Sequence, residues 1–182
     1  MKTKKITVLT GSARRYGNSN KMAEAFIKEA EALGHTVTRF DTALMKIGGC
    51  RGCEGCYKTG KPCLFDDDFN KIAPVIVESD AIVFVSPVYF YSLSGQLKST
   101  LDRFFAFSVG NVPLKVREIA IISCCEEKEL KVFDGVKLVL EETAAYRDWR
   151  ITGEVLIPGV YEAGAIDKTD GCAQAAALAH RF

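Results

Sequence analysis

Four cysteines fall in one short stretch, as Cys50-x2-Cys53-x2-Cys56-x6-Cys63. A thiolate at every third residue lets one loop wrap one metal centre, and four thiolates are the usual ligand set of an iron–sulfur cluster. The first three match the C-x2-C-x2-C run of bacterial ferredoxins; the fourth comes after six further residues, and Pro62 precedes it instead of following it. Gly48, Gly49, Gly52, Gly55 and Gly60 let the backbone bend around a bulky core. Tetrahedral zinc also takes four cysteines, but usually from two separated C-x2-C knuckles. A redox pair such as Cys53 and Cys56 is a third reading, and a loop that binds nothing is a fourth. Spacing alone leaves these open.

A second constellation follows the first apolar run. Gly11-Ser12-Ala13-Arg14-Arg15-Tyr16-Gly17-Asn18-Ser19 joins the strand pattern Ile6–Thr10 to a helix pattern. A helix N-terminus there exposes unpaired N–H groups and the positive end of the dipole. Ser12 and Ser19 add hydroxyls, Asn18 an amide and Arg14 a charge, a set that suits a phosphomonoester. It is neither G-x-G-x-x-G nor a Walker loop, which disfavours a Rossmann dinucleotide site or an NTPase. The plainer reading is a polar loop whose Asn18 and Ser19 cap the helix. Position favours a ligand, because doubly wound sheets bind at the carboxyl ends of their strands.

A third lies in Pro87-Val88-Tyr89-Phe90-Tyr91, after the continuously apolar Ala81–Val85. Three aromatics at a strand end suit the covering of a planar ring, with backbone N–H groups of Val88 to Phe90 on its edge. Each ring taken singly fits packing against a helix or subunit equally well.

The elements that position these loops alternate along the whole chain. Strand patterns cover Ile6–Thr10, Thr36–Phe40, Ala81–Val85, Ile119–Ile122 and Thr152–Ile157. Helix patterns follow Asn18 (Met22, Phe26, Ala30, Leu33, with Gly34 as the stop), end near Glu78, and start at Ser94 with Leu97, Leu101 and Phe104 or Phe105 on one face. Others cover Leu130–Tyr146 and about Thr169–His180. Asp66-Asp67-Asp68 reads as a cap on the helix that begins near Phe69. The expected fold is α/β: one domain over residues 1–182, a doubly wound five-stranded parallel sheet with helices on both faces, and a cysteine-rich loop at 48–65.

Composition narrows the function. At 182 residues with 48% hydrophobic and 26% charged residues, the chain is an ordinary globular domain. A net charge of +1 offers nothing to nucleic acid or to an acidic membrane surface. No apolar run approaches the roughly 20 residues of a membrane helix, and Ile6–Thr10 is too short for a signal-peptide core, so a cytoplasmic location is expected. In that compartment the seven cysteines are not a disulfide framework, and Cys124, Cys125 and Cys172 read as buried thiols. Neither His35 nor His180 neighbours a candidate nucleophile, and no G-x-S-x-G or H-E-x-x-H occurs, which disfavours hydrolase chemistry.

Gly11-Ser12-x-Arg14-x-x-Gly17-Asn18-Ser19, Asp67-Asp68, Ser86-Pro87-Val88-Tyr89-Phe90, Ser94-Gly95-Gln96-Leu97-Lys98 and Asp102-Arg103 together resemble the flavodoxin-like NAD(P)H-dependent FMN reductase family. With the cysteine loop, the chain is similar to the iron–sulfur flavoprotein branch of that family. The resemblance implies FMN, its phosphate on Ser12, Arg14, Gly17, Asn18 and Ser19 and its ring against Pro87, Val88, Tyr89 and Phe90, with Ser123 and Cys124 on the other side. It implies a [4Fe–4S] cluster on Cys50, Cys53, Cys56 and Cys63. Where related reductases often carry a glycine-rich loop after the fourth strand, this chain has Cys124-Cys125-Glu126-Glu127. The expected function is a flavin-dependent oxidoreductase that uses NAD(P)H or reduced ferredoxin and serves a small electron acceptor such as a quinone. The alternatives are an electron carrier fed by ferredoxin, and a cysteine-based redox or zinc sensor. No catalytic acid or base is required, because the cofactor carries the chemistry. The resemblance also implies a homodimer or homotetramer.

Overall fold

A computed structural model describes residues 2–182. Five strands, β1 (Lys5–Thr10), β2 (Thr36–Asp41), β3 (Ala81–Pro87), β4 (Glu118–Cys124) and β5 (Arg150–Ile157), form one parallel sheet in the order β2-β1-β3-β4-β5. The helices are α1 (Asn18–Ala32), α2 (Phe69–Glu78), α3 (Gly95–Asp102), α4 (Phe105–Val109), α5 (Asp134–Arg147) and α6 (Gly171–Ala179). The strand order reverses between β1 and β3, so the loops after those strands open a crevice at the carboxyl edge.

Each central strand is buried on both faces, which is why it reads as an unbroken apolar run. Alternate residues serve opposite layers. Ile82 and Phe84 of β3 join Phe69, Leu97, Phe107 and Leu140 on one side. Ala81, Val83 and Val85 join Met22, Phe26 and Leu178 of α1 and α6 on the other. Each fully buried large aliphatic or aromatic side chain contributes about 2 kcal/mol. Gly34, in the left-handed region at φ 89, ends α1 as expected.

Two elements depart from the sequence reading. The helix that starts at Ser94 breaks after Asp102. Phe104 N donates to Leu101 O and Ala106 N to Arg103 O, tight three-residue bonds that free Arg103 from the regular ladder. The segment after Leu130 begins as a 3-10 turn over Leu130–Phe133 before α5 starts at Asp134. Ser94 caps α3 as expected, its Oγ accepting from Leu97 N at 3.4 Å. No helix among the described residues is long and apolar enough to cross a membrane.

Candidate functional site

The loop after β1 and the N-terminus of α1 face one cleft of about 230 Å³. Its lining includes Ser12, Arg14, Gly17, Asn18 and Ser19 from that loop, Pro87, Val88 and Tyr89 from the loop after β3, and Cys124 at the end of β4. The structure therefore brings together nine of the residues picked out from sequence. Gly17 is the N-cap of α1 and no side chain caps this helix. The first-turn donors are thus not consumed by the capping that the plainer reading supposed, and they stand beside Ser12 and Arg14. Gly17 is tightly held; an added Cβ would stand 3.0 Å from Arg14 O and 3.2 Å from Ser12 Oγ.

Asn18 is engaged elsewhere. Its Oδ1 accepts from Gly164 N at 3.1 Å and Ile166 N at 3.3 Å, and its Nδ2 donates to Glu162 O at 3.0 Å. These three bonds pin the loop after β5 over the cleft, which places Val160, Tyr161 and Ala163 in the lining. Tyr161 also stacks under the Arg14 guanidinium, 5.8 Å from ring centroid to Cζ. Asn18→Ala leaves two backbone donors without acceptors and is expected to destabilise this loop by about 1–3 kcal/mol. Hydrogen exchange should show faster opening at Gly164 and Ile166; unchanged protection there would contradict the anchoring role.

Phe90 and Ser123 lie outside this cleft. Ser123 is fully buried and its Oγ donates to Ser86 O at 2.7 Å. Phe90 sits with Tyr91 at the centre of a two-residue turn, where Tyr89 N donates to Ser92 O and Ser92 N to Tyr89 O at 3.0 and 3.2 Å. Both central residues are left-handed, φ 47 and 62. That is the backbone of a type I′ turn, which usually takes Asn-Gly; each bulky residue there costs on the order of 1 kcal/mol. Val88 N donates to Cys124 O and Tyr89 N to Ser92 O, so those two amides are already satisfied within the chain.

Beyond Cys124, the rim is formed by Cys125, Glu126 and Glu127. Burial and then the neighbouring Cys125 push the Cys124 thiol up to about 12, although Ser19 N–H donates to it. Burial and then Glu127 push the Cys125 thiol up as well. Both remain protonated thiols at neutral pH, and neither is poised as a nucleophile.

The cysteine loop occupies a separate place, between the end of β2 and the start of α2, against α4. Cys50, Cys53, Cys56 and Cys63 line one small cavity with Arg51, Glu54, Phe65, Arg103, Phe105 and Ala106. All four are free thiols; Cys50 and Cys53 are exposed, Cys56 and Cys63 buried. Burial raises the Cys56 thiol, and charge on Cys63, Cys53 and Cys50 raises it further. Glu54, Tyr57, Gly52 and Gly60 have positive φ, which coils the chain about the cavity. Among the described residues no three His, Cys, Asp or Glu side chains gather about a single ion. The void between the sulfurs is about 10 Å³, room for about one water.

What holds the loop is a buried ion pair. Arg103, 2% exposed, donates from Nη1 to Asp67 Oδ2 at 2.9 Å and from Nη2 to Asp67 Oδ1 at 3.1 Å. Its Nη1 also donates to Gly48 O at 2.8 Å, just before the first cysteine. Asp67 accepts from Phe69 N at 3.1 Å, so part of the expected capping is there, but the Arg103 fork dominates its surroundings. The side chain of Asn70 ties down Cys63, its Oδ1 accepting from Cys63 N at 2.7 Å.

A five-stranded sheet in this order, with an anion-ready helix end beside an aromatic loop at the switch point, defines a flavodoxin-like fold. The profile described as NADPH-dependent FMN reductase matches residues 4–131, and the chain belongs to that family. An iron-sulfur flavoprotein of Archaeoglobus fulgidus is 36% identical over 103 residues, 57% of this chain and 46% of that protein. One of Clostridioides difficile is 35% identical over 100 residues, 54% of this chain and 44% of the relative. The chain thus spans about half the length of these curated relatives. Among solved structures, the NAD(P)H:quinone oxidoreductase of Methanothermobacter marburgensis superposes with a TM-score of 0.71 at 16% identity, over 98% of this chain and 96% of that one. An azoreductase of Bacillus anthracis does so with a TM-score of 0.71 at 19% identity and full coverage of both chains. These likenesses show the fold.

Proposed function

We propose that residues 1–182 form an FMN-binding oxidoreductase domain of the iron–sulfur flavoprotein type. The observation that carries this reading is the uncapped N-terminus of α1 beside Ser12 and Arg14, in the same cleft as Pro87, Val88 and Tyr89. FMN, when bound, accepts electrons as a hydride or singly and passes them on. Ser12, Ser19 and the first amides of α1 would hold its phosphate, Arg14 would neutralise it, and Gly17 lets the backbone approach. Asn18 would act by fixing the loop that carries Tyr161. Pro87 to Tyr89 would border the ring.

The donor set of the second cavity fits a [4Fe–4S] cluster, which takes one thiolate on each of four irons and exchanges single electrons. Cys50, Cys53, Cys56 and Cys63 would be its ligands. Four cysteines from one short loop favour a cluster over zinc, which usually takes its cysteines from two separated C-x2-C knuckles. The two cavities share no lining residue. That separation supports a second reading, a carrier fed by reduced ferredoxin, beside the NAD(P)H-dependent reductase; turnover with NAD(P)H and a quinone against reduction by ferredoxin separates them.

Among the described residues Arg14 is the one cation that lines the proposed flavin cleft, and Arg14→Ala removes it. The dissociation constant for FMN is expected to rise roughly ten- to hundredfold, the range of a charge-assisted bond. Quenching of flavin fluorescence measures it, and an unchanged constant would remove the phosphate from this loop.

A further inference from the structure

Arg14, in the loop after β1, and Tyr161, in the loop after β5, both line the flavin cleft, and the guanidinium Cζ lies 5.8 Å from the centre of the Tyr161 ring. Each is carried on fixed backbone. Arg14 O accepts from Gly17 N at 2.8 Å and from Asn20 Nδ2 at 2.8 Å, and Arg14 N donates to Ser12 Oγ at 3.3 Å. Asn20 is itself buried, 2% exposed. On the other side, Val160 N donates to Cys125 O at 2.8 Å and Glu162 O accepts from Asn18 Nδ2 at 3.0 Å, so Tyr161 sits between two ties. The Arg14 side chain is exposed and joins none of the ion pairs among the described residues. What it meets is the Tyr161 ring.

A ring holds a guanidinium by its face and takes up none of its N–H donors. Arg14 therefore keeps its donors free for an anion while its position is already set. That lowers the cost of ordering a long, exposed side chain when the anion arrives. Glu126 and Glu127 line the same cleft, and their carboxylates would draw a loose Arg14 away from a bound phosphate. We infer that Tyr161 is a positioning residue that sets the selectivity for phosphorylated over unphosphorylated flavin, by holding Arg14 in place for the phosphate. This role rests on the flavin reading and assigns that selectivity to the loop after β5. The ring face does the holding, and the phenol hydroxyl is not required for it.

The test titrates FMN and riboflavin, which differ only in the phosphate, against the full chain by flavin fluorescence. The variants are Tyr161→Leu, Tyr161→Phe, Arg14→Ala, and Tyr161→Leu combined with Arg14→Ala. Tyr161→Leu should lower the preference for FMN over riboflavin about three- to thirtyfold, the reach of one cation–ring contact. Tyr161→Phe should retain the preference. In the Arg14→Ala background, Tyr161→Leu should change it by less than about twofold, because the two residues act through one contact. Tyr161 is 54% exposed, so these substitutions spare the core, and riboflavin binding reports that the cleft is intact. A preference unchanged in Tyr161→Leu, or a loss that adds in full to that of Arg14→Ala, would overturn the role and leave the ring a plain wall of the cleft. A loss in Tyr161→Phe equal to that in Tyr161→Leu would place the effect on the hydroxyl and overturn it too. If neither flavin binds the natural chain, the flavin reading falls and the role with it; in the two preceding outcomes the role alone falls.

Discussion

Arg103→Met is expected to destabilise the protein by about 3–5 kcal/mol and to leave the cysteine loop unable to retain metal. The guanidinium is 2% exposed and its partner Asp67 is 17% exposed, so its removal strands a carboxylate in a largely dry site. The pair joins three segments: Gly48 at the entry of the loop, Phe69 at the start of α2, and the break between α3 and α4. Arg103 also lies over the Phe69 ring, 5.0 Å from its centroid, and lines the cavity that holds the four thiols. A positive group in that position favours bound thiolates over free thiols. Urea titration measures the stability term. A double substitution, Asp67→Leu with Arg103→Met, should recover much of the loss, since a buried ion pair exchanged for apolar side chains is often near neutral. A single-variant loss below about 1 kcal/mol, the scale of an exposed pair, would show that the bridge is not structural.

Cys63→Ser is expected to remove most iron and sulfide and to leave FMN affinity within about twofold, because sites that share no residues vary independently. Cys63 is one of the two buried thiols of the proposed ligand set, and its backbone N–H is held by Asn70. Iron and acid-labile sulfide analysis on anaerobically purified protein reads the first effect, and flavin fluorescence the second. Retained stoichiometric iron would exclude Cys63 as a ligand. A parallel loss of FMN would contradict the separation of the two cavities.

The sheet was legible because parallel strands buried on both faces declare themselves as apolar runs, and the strand ends were placed to within about two residues. The loop after β1 was legible for a different reason: a polar, Ser- and Asn-bearing segment follows a strand and opens a helix, at the end of the sheet where doubly wound folds bind ligands. Other features depended on distant partners. Nothing near Asn18 announces that its side chain serves the loop at Glu162–Ile166, and nothing near Arg103 announces Asp67, 36 residues away. Asp102-Arg103 and Asp67-Asp68 were visible as family motifs, but the fork that joins them was not.

The aromatic turn was hidden by its own chemistry. A type I′ turn is read from Asn-Gly, and Phe90-Tyr91 breaks that rule. Tyr161 gave no signal either; it reaches the cleft only because Asn18 holds its loop there.

The most direct measurement is the absorption spectrum of protein purified without oxygen, taken with flavin, iron and sulfide content. One FMN per chain, with about four irons and four sulfides, is the expected result. A protein that shows no flavin bands and takes up no added FMN would contradict the account at its centre.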